Sequence, residues 1–202
     1  MQYQNIVNFK KVRQPLSAVF LDRDGTINID YGYVHEVSNF HFIDGSINAM
    51  QELQNMKFIL VIITNQSGLA RGFFRKDQFF YLTKWINRSL KNYGINLKGT
   101  YFCPHYPPIN VGTFHQGCSC RKPKPKMLLE AQRHLCIDMS SSYMVGDKEE
   151  DMLAAKAAGV GTRVLVRSGK NITEKANKIA DLVIDSLALL PFEIKQYHRV
   201  SW

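Results

Sequence analysis

The chain has 202 residues, 45% hydrophobic and 21% charged, an ordinary mix for a soluble globular protein and enough for one domain with a full core. Residues 1–14 lack the apolar stretch of a secretory signal, and the longest strongly apolar run, residues 58–63, is far too short to cross a bilayer, so the expected compartment is the cytoplasm. A net charge of +9 directs attention to anionic partners: phosphorylated metabolites, nucleic acid or anionic membrane.

Residues 1–15 read as a tail carrying Lys10, Lys11 and Arg13 and no acid; residues 16–202 read as a single domain without repeats. Strand-like and helix-like segments alternate there, which predicts an α/β fold with a mainly parallel sheet and helices on both faces. Residues 17–22 form a first buried strand. Residues 25–44 have turn formers, aromatics and no helical period, and read as a loop or hairpin excursion. Asp44 is the expected N-cap of a helix over 46–56, with Ile47, Met50, Leu53 and Gln54 near helical spacing. A second buried strand, 58–63, runs into Thr64-Asn65-Gln66-Ser67-Gly68. An amphipathic helix over 76–93 is closed by Gly94, and a third strand lies near 99–103. Residues 104–126 are irregular. A helix over 126–135, a strand over 142–145 ending at Gly146-Asp147, and a helix over 149–158 stopped by Gly159 follow. Short strands at 163–166 and 182–184 and a closing helix over 187–197 complete the chain.

Chemistry concentrates at the predicted strand ends. Ala18-Val19-Phe20-Leu21 feeds directly into Asp22-Arg23-Asp24-Gly25-Thr26, two carboxylates one residue apart before a glycine that lets the backbone turn away. Thr64 follows the second strand and supplies a hydroxyl, with donors from the next residues, to an anionic oxygen. Lys122, in Cys120-Arg121-Lys122-Pro123, is a cation fixed between prolines and cysteines. Asp147 ends the fourth strand as a natural Mg²⁺ ligand, while Glu150 and Asp151 read as acids that complement the following helix dipole.

A second constellation is made of soft ligands. Cys103-x-His105 and Cys118-x-Cys120 form a Cys₃His set that suits a closed, tetrahedral Zn²⁺ site, and in a cytosolic chain it points to metal before disulfide. Cys136 reads as a small core residue and His115 as loop surface, its exchange with His105 as fourth ligand being disfavoured by the pairing.

The four strand-end motifs, in order, resemble those of the haloacid dehalogenase (HAD) superfamily, mostly Mg²⁺-dependent phosphatases with an aspartate nucleophile. The resemblance implies a HAD-like (Rossmann-like) fold. Asp22 would be the nucleophile, Asp24 the acid/base, and Thr64 and Lys122 the groups steadying the phosphoryl oxygens. Asp22, the backbone carbonyl of Asp24, and Asp147 would hold Mg²⁺. The zinc loop, 103–120, stands where many such enzymes carry a large cap domain. Within the superfamily the chain resembles the bacterial heptose bisphosphate phosphatases, which make a lipopolysaccharide core sugar precursor. This rests on Phe20 to Asn28, Tyr31-Gly32-Tyr33-Val34-His35, Phe42-Ile43-Asp44-Gly45, Thr64 to Gly72, Cys103-Pro104-His105, Cys118 to Pro123, Met127-Leu128-Leu129, Tyr143 to Lys148, and Val164 to Gly169.

By that resemblance Asp30, Tyr31, Gly32, Tyr33, Asn65, Gln66, Ser67, Arg121 and Lys148 would line a sugar bisphosphate, with Arg121 on the second phosphate, and Cys103, His105, Cys118 and Cys120 would carry structural zinc. The implied partner is that small molecule alone, with no nucleic acid and no membrane, and the chain a monomer. The stretch 106–116 diverges from the pattern, and the tail has no counterpart. Histidinol-phosphate phosphatase is the alternative with the same motifs. A nucleic-acid 3′-phosphatase lacks support from any aromatic-interleaved basic stripe. A non-catalytic zinc module that binds an anion is countered by the intact set Asp22, Asp24, Thr64, Lys122 and Asp147.

Overall fold

The computed structural model describes residues 14–106 and 118–199. The basic residues of the tail, the stretch 107–117 and His115 within it lie outside the described residues. Six parallel strands, β1 (Leu16–Leu21), β2 (Ile59–Asn65), β3 (Leu97–Cys103), β4 (Ile137–Gly146), β5 (Thr162–Val166) and β6 (Leu182–Ile184), form one sheet in the order β3-β2-β1-β4-β5-β6. Ala18 to Leu21 are all fully buried, as expected of a central strand covered on both faces. Alternation divides them. Val19 and Leu21 join Leu60 and Ile62 in one core, closed by Met50 and Leu53 of α1 (Ser46–Asn55), Leu82 and Ile86 of α2 (Lys76–Asn92), and Ile194 of α6 (Leu190–Arg199). Ala18 and Phe20 join Val61 and Ile63 in a second core under α3 (Lys126–Leu135), α4 (Glu149–Ala158) and α5 (Glu174–Ile179). Each fully buried Leu or Ile contributes about 1.5–3 kcal/mol relative to exposure.

The strand order reverses between β1 and β4, and open α/β sheets take their ligands in the crevice beyond such a reversal. The register pairs Leu21 with Val145, and the Asp22 N–H donates to the Val145 carbonyl at 2.9 Å. Asp22 therefore lies beside the Gly146-Asp147 end of β4. No helix among the described residues is long and apolar enough to cross a membrane.

Several local expectations are corrected. The N-cap of α1 is Gly45, left-handed at φ 77°, rather than Asp44. β4 begins five residues before 142, because its polar start is tied internally: Asp138 accepts from the Ser140 N–H and hydroxyl, and the Ser142 hydroxyl accepts from the Ala18 N–H. α5 escapes a periodicity search because it has only six residues; Thr173 caps it, accepting from the Ala176 N–H at 3.1 Å. The closing helix is a 3₁₀ turn, Leu187–Leu189, followed by α6. Cys136 is exposed, not core: it ends α3 in a left-handed conformation (φ 54°), where helix termination decides its position. The excursion 25–44 is irregular as expected, with one 3₁₀ turn, Val37–Asn39.

Candidate active site

Gly25 makes the turn out of β1 at φ +85°, and a Cβ there would lie 2.5 Å from Asp147 Oδ2. Glycine thus serves both the turn and the approach of the β4 carboxylate. Behind this turn Lys122 is buried; its ammonium donates to the Ile63 carbonyl at 2.8 Å and ion-pairs with Asp22 Oδ1 at 2.9 Å and Asp151 Oδ1 at 2.6 Å. Asp151 is therefore no solvated dipole complement. It sits 1% exposed in the first turn of α4, and its Oδ2 also accepts from the Lys148 N–H at 3.1 Å. Gly146 admits it, since a Cβ at that position would lie 2.4 Å from the Asp151 carboxylate. Glu150, by contrast, is exposed at the pocket rim.

Charge orders these groups. Burial pushes the Asp22 carboxyl up, but Lys122 and Lys148 outweigh it and hold it below the usual carboxylate range. Burial opposes the Lys122 charge, yet Asp151 and Asp22 raise its pKa. Burial pushes Asp151 up to about 7, with Asp22 and Asp147 adding to the effect and Lys122 opposing it. Asp147 is raised by burial and then by the Asp22 charge, against Lys148, whose ammonium is 3.1 Å from Asp147 Oδ1. Oxygens of Asp22, Asp147 and Asp151 lie within 4.8 Å of one another. Asp147 Oδ1 and Asp151 Oδ1 are buried without a hydrogen bond of sound geometry, although each meets a lysine ammonium. Crowded hard oxygens of this kind fit a divalent cation such as Mg²⁺.

The flanking groups are held by one another. Asp24 accepts from Arg23 through Nε and Nη2 (2.8–3.1 Å), from Asn28 Nδ2 at 3.0 Å and from Gln66 Nε2 at 3.0 Å. Gln66 Nε2 also donates to the Thr64 hydroxyl at 2.9 Å. Asn65, expected on the substrate, commits its side chain to the Lys122 backbone: Oδ1 accepts from Lys122 N–H at 3.1 Å and Nδ2 donates to the Lys122 carbonyl at 3.2 Å.

These groups open into a cavity of about 260 Å³. Of the residues expected there, Asp30, Gly32, Tyr33, Asn65, Gln66, Ser67, Arg121 and Lys148 line it together with Asp22, Asp24, Thr64 and Lys122. Tyr31 does not: it is 60% exposed, with its ring edge-on to His41. Lys170, from the loop after β5, was not anticipated. Nor was the role of Arg71, whose guanidinium lies 4.6–5.1 Å from the ring centres of Tyr33, Phe73 and Tyr106 and donates to the Tyr33 hydroxyl. It ties together loops that leave three different strands.

The Cys₃His set assembles at the end of β3. Cys103 Sγ lies 3.7 Å from Cys118 Sγ and 3.1 Å from Cys120 Sγ, and His105 Nδ1 lies 3.4 Å from Cys103 Sγ and 3.2 Å from Cys120 Sγ. Zn–S bonds of about 2.3 Å put tetrahedral sulfur ligands about 3.8 Å apart, so the spacing fits zinc, slightly contracted. Burial pushes the Cys103 thiol up, with the neighbouring Cys120 adding to the effect; a metal would offset this as it deprotonates the sulfurs. Arg121 Nη1 donates to the His105 carbonyl at 3.2 Å, which couples the cluster to the pocket.

A family model described as HAD-hydrolase-like matches residues 119–190. The crystal structure of D,D-heptose 1,7-bisphosphate phosphatase from B. bronchiseptica, complexed with magnesium and phosphate, matches with a TM-score of 0.77 at 29% identity, covering 90% of this chain and 99% of that one. The chain is a phosphoric monoester hydrolase of the HAD-like class. Among curated proteins, the D-glycero-beta-D-manno-heptose-1,7-bisphosphate 7-phosphatase of Yersinia pestis is 56% identical over 186 residues, covering 92% of this chain and 99% of the relative. That of Escherichia coli K12 is 59% identical over 182 residues, covering 90% and 95%. The chain belongs to this family of heptose bisphosphate phosphatases.

Proposed function

We propose that the protein removes the 7-phosphate of D-glycero-β-D-manno-heptose 1,7-bisphosphate, in the supply of heptose for the lipopolysaccharide core. The observation that carries this reading is the Asp22–Lys122–Asp151 centre, within a chain 56% identical to a phosphatase of that name over nine tenths of its length. Asp22, Asp147 and the Asp24 carbonyl would hold Mg²⁺, with Asp151 beside them. Once bound, the ion supplies positive charge against the phosphoryl oxygens. Cys103, His105, Cys118 and Cys120 would hold Zn²⁺ in a closed, structural site.

The chain's own residues divide the work in two steps. An Asp22 oxygen attacks phosphorus, the bond from phosphorus to the C7 oxygen breaks, and the leaving oxygen takes a proton from Asp24. Water then attacks the aspartyl phosphate, giving its proton to Asp24, and inorganic phosphate leaves Asp22. Arg23 holds both oxygens of Asp24, so proton donation in the first step requires Asp24 to turn from Arg23 to the substrate. Lys122 neutralises Asp22 and the incoming phosphoryl group, and the Thr64 hydroxyl steadies it. Arg121 receives the remote phosphate, whose binding energy orients the reacting one. The domain extends over 16–202, acts as a monomer on this small molecule in the cytoplasm, and engages neither nucleic acid nor membrane.

A substrate panel tests this. Heptose 1,7-bisphosphate is expected to exceed heptose 1-phosphate, heptose 7-phosphate, histidinol phosphate and 3′-phosphorylated DNA in kcat/KM. Arg121→Ala is expected to cut the bisphosphate preference about 10- to 150-fold, the cost of a lost charge-assisted hydrogen bond. Fastest turnover of histidinol phosphate, with equal Arg121→Ala effects on mono- and bisphosphates, would replace the heptose reading.

A further inference from the structure

We propose that Lys170 is a specificity-determining positioning residue: its ammonium holds the Asp30 carboxylate in place as the acceptor for a hydroxyl group of the sugar phosphate. The inference rests on the sugar-phosphatase reading and deepens it. Lys170 follows β5, and its loop is stitched to the catalytic turn in two places. The Ser168 hydroxyl donates to the Gly25 carbonyl at 2.8 Å, and the Lys170 N–H donates to Asp147 Oδ2 at 2.9 Å. The backbone there is fixed independently of the lysine side chain. From this anchor the ammonium reaches across the cavity mouth to Asp30 Oδ2 at 2.9 Å.

Asp30 Oδ1 accepts from the Gly32 N–H at 2.9 Å, so each carboxylate oxygen has one donor and one remaining acceptor position. Asp30 and Lys170 both line the cavity that contains Asp22 and Thr64. The carboxylate is 11% exposed while the lysine side chain is 56% exposed. An ion pair with one half-exposed partner adds little to stability, so its orienting effect is what the geometry offers. Burial pushes the Asp30 carboxyl up, but Lys170, the Gly32 N–H and Lys148 outweigh it and hold it below the usual carboxylate range, and an ionised carboxylate is the stronger acceptor for a hydroxyl. A pocket for anionic sugars gains from a carboxylate only if its charge is compensated and its oxygens are aimed; Lys170 does both.

A double-mutant cycle tests the coupling. Lys170→Met, Asp30→Asn and the double variant are assayed on heptose 1,7-bisphosphate and on 4-nitrophenyl phosphate, which has no sugar hydroxyl, with melting temperature and zinc content measured alongside. Lys170→Met is expected to raise KM for the bisphosphate about tenfold, with a much smaller change in kcat, and to lower the sugar-over-aryl selectivity by a similar factor. In the Asp30→Asn background the same substitution is expected to change KM less than about twofold, because the acceptor it positions is already gone. Equal KM effects in both backgrounds, or a loss confined to kcat, would overturn the proposal. If wild type prefers another sugar phosphate, the heptose reading fails alone, and the cycle run on that substrate still decides the role of Lys170.

Discussion

Two clusters of metal-ligand atoms lie at adjacent strand ends, and each draws its atoms within 4.8 Å. The carboxylates Asp22, Asp147 and Asp151 are threaded by two lysines: Lys122 bridges Asp22 and Asp151, and Lys148 meets Asp147. At the Cys103, His105, Cys118 and Cys120 set the cations instead meet backbone: Arg121 Nη1 donates to the His105 carbonyl at 3.2 Å and Lys124 Nζ to the Cys118 carbonyl at 2.7 Å. The first arrangement keeps hard oxygens partly neutralised by protein cations, as suits a site where metal and phosphate come and go. The second gathers four soft ligands that would suit one ion filling the shell. Equal compactness therefore serves different ends, and Arg121 and Lys122, directly after Cys120, link them.

The largest separation of the two comes from Asp22→Asn. An amide neither attacks phosphorus nor serves as an anionic ligand, so turnover is expected to fall by on the order of 10³ or more while zinc content stays near one per chain. Steady-state kinetics with elemental analysis reads both; activity near wild type would refute the nucleophile assignment. Cys120→Ser probes the link in the other direction. It is expected to release zinc, lower the melting temperature and, by displacing Arg121 and Lys122, reduce kcat/KM about 10²-fold. Full activity in a zinc-free variant would show that the sulfur cluster does not position the pocket.

A finer cut is Asn65→Ala, which removes the two hydrogen bonds that pin the Lys122 backbone. We expect kcat to drop about tenfold with zinc retained, since each bond contributes about 0.5–1.5 kcal/mol. A rise in KM alone would restore Asn65 to substrate contact. Smallest is Arg71→Ala, which frees Tyr33 from the loops behind it. KM is expected to rise a few fold and stability to fall by about 0.5–1 kcal/mol, with Arg71→Lys recovering little because the stacking surface of the guanidinium is lost.

The oxygen cluster and the sulfur cluster also differ in how far they can be read from sequence. The thiols announce themselves, because cysteine is scarce here and three of four fall within eighteen residues. Asp22, Thr64 and Asp147 are legible because each ends an apolar run, and Lys122 because it falls in order among the four motifs. Asp151 is not: an acid in the first turn of a helix has an ordinary explanation in the dipole, and only the missing side chain of Gly146 lets it turn inward to Lys122. Asp147 precedes the N-cap Lys148, so no helical spacing links the two acids in the sequence. Lys170 and Arg71 act through partners remote in sequence, Asp30 and Tyr33, and no local pattern reports such pairs. The sheet was legible through burial on both faces of its strands. The polar start of β4 and the six residues of α5 were not, since each is fixed by side-chain hydrogen bonds rather than by hydrophobic period.

The account turns on phosphoryl transfer to Asp22, and acid-quench trapping reads it directly. With 4-nitrophenyl phosphate, whose leaving group barely needs a proton, Asp24→Asn should form the aspartyl phosphate and then stall, because the group that activates water is gone. Rapid quenching followed by peptide mass spectrometry should find a hydroxylamine-labile phosphate on Asp22 in stoichiometric yield. A phosphate on any other residue, or none during a burst of nitrophenol release, would contradict the mechanism.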